Sequence, residues 1–141
     1  MQPLYVLNTQ SDLVVPDKFS GYIVFYKKSK EQHVADVQLG LFQKLIENGL
    51  KLSLSNFLLV DIFQYPVRIS VLKKNLTFHK CFLFGVKENE VGLNFNLPLY
   101  KHIYFSEIDF IKSDAPEVLE QDKNLKNKLW IQLQSAFNLS K

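Results

Sequence analysis

A chain of 141 residues fits one domain, and 47% hydrophobic residues, 12 of the chain being Phe, give it enough apolar surface for a core. The net charge is +3 and, of 17 basic residues, only Arg68 is arginine; the lysines are interspersed with acids apart from Lys27, Lys28, Lys30 and the pair Lys73, Lys74. That is not the basic stripe of a dedicated nucleic-acid binder, so no direct nucleic-acid contact is expected.

Cys81 stands alone, which excludes an internal disulfide, and its place in the run Cys81-Phe82-Leu83-Phe84 predicts a small buried thiol. The chain opens with no secretory pattern, and no apolar run approaches the ~20 residues that span a bilayer, so a cytoplasmic protein outside the membrane is expected.

The first seventeen positions, 1–17, carry two short apolar clusters, Leu4 to Leu7 and Leu13 to Val15. They are too short for a domain and predict either an edge strand or a docking arm, with Leu4, Tyr5 and Leu7 as candidate partner contacts. From Gly21 the pattern becomes regular. Tyr22 to Tyr26 is an unbroken β-branched and aromatic run, the pattern of a strand covered on both faces. Glu31 to Asn48 places Val34, Val37, Leu41 and Leu45 at helical spacing, widened by Phe42 and Ile46, with Gly49 as C-terminal cap. Phe57 to Ile62 is a second buried strand, completing a β-α-β unit with a right-handed crossover.

Pro66 suits the first turn of a shorter helix with Val67, Val71 and Leu72 inward. Thr77 to Val86 predicts a third strand ending at Gly85, Lys87 to Asn96 a loop, and His102 to Phe105 a fourth strand. Asp114 is the expected cap of the next helix, with Pro116 in the first turn and Glu117 closing a capping box. Propensity dips at Asp122 to Asn124, so the ending reads as a turn over Pro116 to Gln121 and a helix from about Asp122 to Phe137. There Leu125, Leu129, Leu133 and Phe137 share a stripe with Ala136 beside it. These elements predict a single α/β domain over 1–141, a three-layer α/β/α sandwich on a central, mostly parallel sheet of about four strands, closed by a C-terminal helix.

No catalytic signature accompanies the fold. His33, His79 and His102 are too far apart for a metal site by spacing and read as ordinary residues. The 5 glycines are isolated, so no phosphate or dinucleotide loop is present and no cofactor is expected. Asp61 ends a buried strand, where α/β folds place their ligand crevice, and Tyr65 lies within reach. Asp61, Tyr65 and Asn94 are therefore the candidate crevice residues, although turn and cap roles are the commoner use of such side chains. Trp130 lies beside the Leu129, Leu133 stripe and is either core or an anchor for a partner.

Three segments carry a resemblance: Gly21 to Tyr26, Cys81-Phe82-Leu83-Phe84-Gly85, and above all Ser113-Asp114-Ala115-Pro116-Glu117-Val118-Leu119 with Asn124 to Leu133 after it. The last looks like the Ser-Pro-x-Leu turn and Leu-Trp terminal helix of the psi-subunit family of bacterial DNA polymerase III, and the order of elements is similar to that family's. The resemblance implies a noncatalytic domain related in shape to uracil-DNA glycosylases. Its N-terminal arm would contact the clamp loader and its body the chi subunit, so the partners would be replication proteins. The sequence departs from the family in extra residues between Phe105 and Ser113 and in a short arm. Two other functions compete: a divergent nucleobase-excision enzyme using Asp61, and an oligomeric structural protein burying Leu4 to Leu7 and Trp130. Against the first, the water-activating loop of the glycosylases is only faintly matched by Asp61 with Tyr65-Pro66, and their His-Pro-Ser-like motif is missing.

Overall fold

The computed structural model describes residues 3–4 and 13–139. Five strands form the central sheet: β3 (Tyr22–Tyr26), β4 (Leu58–Asp61), β5 (Lys80–Phe84), β6 (Ile103–Phe105) and β7 (Ile108–Ser113). They lie in the order β4-β3-β5-β7-β6, parallel except for β6, which runs antiparallel to β7. A separate two-stranded ladder joins β1 (Pro3–Leu4) to β2 (Leu13–Val14), with Leu4 opposite Leu13. Among the described residues, the N-terminal segment therefore adds no strand to the main sheet; Tyr5 and Leu7 lie outside the described residues.

The layers arise from the strand order. The chain steps from β3 outward to β4, then back past β3 to β5. Crossovers of one hand that step in opposite directions put their connections on opposite faces. Helix α1 (Gln32–Phe42) and its π-helical extension Gln43–Gly49 cover one face together with α3 (Pro116–Gln121) and α4 (Lys123–Ala136). They enclose Val24, Phe82, Phe84 and Ile111. The other face buries Ile23, Phe25, Cys81, Leu83 and Phe110 beneath α2 (Ile69–Asn75), the single turn Glu88–Val91 and residues 93–97. Cys81 is fully buried, and burial pushes its thiol far above the ordinary value, so it stays protonated.

The sandwich, its parallel sheet and the terminal helix match the sequence expectation, with several corrections. The sheet has five strands rather than four: the residues between Phe105 and Ser113 form β7, an interior strand paired with both β5 and β6. Its polar positions, Asp109 and Lys112, hid it. Ser106 and Glu107 link β6 to β7 with φ of 54° and 66°, the sign pattern of a type I′ hairpin turn. Pro66 precedes α2 in a loop and does not open it. Gly49 is no left-handed cap: φ is positive at Lys51 instead, and Gly49 is small because Trp130 packs on it. Asp114 does not cap α3; Ala115 does, while the Asp114 carboxylate accepts the Tyr100 hydroxyl. Val34 and Val37 are only half-buried on α1, and Gln38 is buried instead.

Candidate interaction surface

At the carboxyl ends of the strands, the reversal of winding between β3 and β5 opens the usual ligand crevice. In this protein, its own side chains fill it. Lys27, just past β3, pairs with Glu90, just past β5, at 2.8 Å. Behind them the buried Gln38 amide donates to the Lys27 carbonyl at 3.0 Å and to the Glu117 carboxylate at 2.9 Å, and accepts from the Ser29 N–H at 3.1 Å. The start of α3 closes over β5: a Cβ at Gly85, where φ is 69°, would lie 2.8 Å from the Ala115 methyl.

Asp61 ends β4 as expected, and its Oδ1 accepts the backbone N–H groups of Lys28 and Phe63, each at 3.1 Å. Its carbonyl accepts from Tyr65 N–H at 2.8 Å, and the Tyr65 ring packs onto the core. Asp61 and Tyr65 thus build one turn. Asn94 is not brought to them; it lines a separate cavity between α2 and the β6-β7 turn, a wall to which neither Asp61 nor Tyr65 contributes.

One polar assembly was not visible in the sequence. Register places Lys80 and Asp109 side by side on β5 and β7, and their side chains pair at 2.7 Å. His102 bridges the same carboxylate to the terminal helix: Nε2 lies 2.6 Å from Asp109 Oδ1 and Nδ1 lies 2.9 Å from Ser135 Oγ. The His102 N–H also donates to Gln132 Oε1 at 2.7 Å. Partial burial acts to raise the Asp109 pKa, but the Lys80 ammonium and the His102 ring outweigh it and hold the carboxyl below its usual range.

A serine, a histidine and an aspartate in series invite comparison with an acyl-transfer array. Such chemistry needs N–H donors aimed at the developing oxyanion. Ser135 occupies the last turn of α4, whose terminus presents carbonyls and the negative end of the helix dipole. This placement would repel an oxyanion. The network instead clasps α4 to the sheet. Spacing could not have revealed it, because Ser135 stands 33 residues from His102.

Trp130 occupies the clearest surface feature among the sequence-predicted residues. It is half-buried and forms one wall of a groove of about 320 Å³ with Lys44, Leu45, Gly49, Lys123, Lys126 and Asn127. Its ring packs closely on Gly49, where a Cβ would lie 2.9 Å from Trp130 Cζ3. Lys44 pairs with Glu120 at 2.7 Å, and Lys126 stands 3.8 Å from the same carboxylate. Lys44 is the main reason that the Glu120 carboxyl sits below its usual range. Lys123 is exposed and has no ion-pair partner among the described residues. The groove therefore joins an aromatic wall to a net positive rim.

The described residues hold no cluster of His, Cys, Asp and Glu fit for a metal ion, and none of their helices is long and apolar enough to cross a membrane. Compared with known proteins, the chain matches no family model, no curated protein and no solved structure.

Proposed function

We propose that this protein is a noncatalytic interaction subunit that binds a protein partner at the Trp130 groove, and that it serves as a psi-like accessory of a replicative clamp loader in the cytoplasm. The observation that carries the interaction reading is the half-buried tryptophan packed on Gly49, with cationic neighbours. Buried, pre-positioned aromatic anchors contribute most of the free energy at protein interfaces, and ordering them beforehand lowers the cost of binding. The filled crevice beside β3 and β5 supports a role without a bound substrate. The replication assignment rests on the resemblance of Ser113 to Leu133 to the psi ending.

The test is affinity capture from the native cell with the full chain as bait, and then titration of the recovered component against variants. A clamp-loader or chi-like component is the expected partner. Lys123→Glu, at an exposed position, should weaken it, and Trp130→Ala should cost about thirtyfold in affinity, the effect of a hot spot worth ~2 kcal/mol. Recovery of no replication protein would remove the clamp-loader assignment. Unchanged affinity in both variants would move the interface elsewhere.

A further inference from the structure

We propose that the cavity on the opposite face of the sheet, between α2, residues 92–95 and the β6-β7 turn, is a binding site for a small carboxylate with an aromatic or branched apolar body. The cavity measures about 430 Å³, within the range of about 300–1,000 Å³ usual for small-molecule sites. Its walls are apolar: Leu93, Phe95, Phe105, Ile108 and Phe110. Phe95 is held in place by Phe105 and Phe110, with ring centroids at 4.7 and 5.6 Å. Phe105 nevertheless remains 54% exposed, a large aromatic surface left open to whatever enters.

Polar groups are few. Lys73 Nζ stands 3.4 Å from Ser106 Oγ, and Ser70 and Asn94 are the other polar lining residues. No described carboxylate forms an ion pair with Lys73. Arg68 packs over Gly92, a residue of the lining, where a Cβ would come within 3.1 Å of its Nε. A cation without an ion-pair partner, beside a hydroxyl donor, is suited to a carboxylate, and the aromatic wall to an apolar body. A neutral apolar ligand would leave the Lys73 ammonium to water and gain nothing from it, and a strongly polar one would leave the phenylalanines wet. The inference stands apart from the interaction reading, since the Trp130 groove lies on the other face.

The experiment is amide-resolved NMR of the full chain titrated with phenylbutyrate and, separately, with phenylbutanol, which keeps the apolar body and lacks the charge. Phenylbutyrate should give saturable shifts at residues 69–73, 92–95 and 105–110, and phenylbutanol should bind about tenfold more weakly, as expected for loss of one charge-assisted contact. Lys73→Gln, at an exposed helical position, should reduce phenylbutyrate affinity to the level of the alcohol and leave the alcohol unchanged. Ser70→Trp, also exposed, should obstruct the mouth and abolish both. The proposal is overturned if neither probe gives saturable shifts, if the shifts map elsewhere, or if Lys73→Gln binds phenylbutyrate as well as the parent chain.

Discussion

Asp109 shows how much one side chain can connect. Its two oxygens hold Lys80 and His102, and through His102 they reach Ser135 on the terminal helix. The Lys80 and Asp109 side chains are only 11% and 14% exposed, so Asp109→Asn would leave a largely buried ammonium without its counter-charge. Breaking such a pair is destabilising because the remaining charge stays desolvated; about 2–3 kcal/mol is expected for this partly solvated case. The pH dependence has a definite sign. The folded-state pKa of Asp109 is depressed, so its contribution is present above the unfolded value near 4 and is lost as pH falls through the lower folded value. Urea denaturation between pH 7 and pH 2 should show an acid limb that flattens in Asp109→Asn, and an unchanged limb would contradict the clasp.

At the scale of elements, two short stretches put opposing effects in competition. Replacing a helical glycine by alanine ordinarily stabilises, by up to ~1 kcal/mol. At Gly49 the new methyl would meet the Trp130 ring at 2.9 Å, so displacement of the ring outweighs the propensity gain. Gly49→Ala is therefore expected to destabilise by about 1–2 kcal/mol and to shift the fluorescence of the chain's single tryptophan; a more stable variant with unaltered emission would refute the packing argument. The hairpin turn gives the reverse case. Glu107 holds a φ of 66°, a conformation that costs most residues and suits glycine. Glu107→Gly should raise the melting temperature, by the equivalent of about 0.5–1 kcal/mol, with the β6-β7 register intact. Ser106, whose hydroxyl meets Lys73, is better left in place.

At the scale of the whole molecule, the placement of the two connections decides where chemistry has room. The crevice beside β3 and β5 is occupied by the Lys27–Glu90 bridge and the Gln38 amide, and Asp61 at the neighbouring strand end caps backbone N–H groups. Duplex DNA containing uracil should therefore show no Asp61-dependent base excision, while Asp61→Ala, which removes the acceptor, should cost about 1 kcal/mol in stability as a lost cap. Strand cleavage after alkaline workup, present with the parent chain and missing with Asp61→Asn, would restore the glycosylase alternative.

The sequence by itself determined most of the elements and many, though not all, of the residues each would bury. Tyr22 to Tyr26, the helical stripe after it and the Leu129, Leu133 face are periodic patterns of neighbouring residues, and burial acts directly on such patterns. The start of α4 near Asp122 was legible for the same local reason; Asp122 caps the helix, its side chain accepting from Leu125 N–H three positions on. Strand β7 escaped because its polar members, Asp109 and Lys112, find partners in Lys80 and Glu88, distant in sequence, and in His102 on the other side of the hairpin turn. Only the tertiary structure decided the strand order, the clasp on Ser135, the seat of Trp130 on Gly49 and the cavity holding Asn94. Each joins side chains from separate elements, and such pairings are selected by the packing of the whole chain, which no local window of residues encodes.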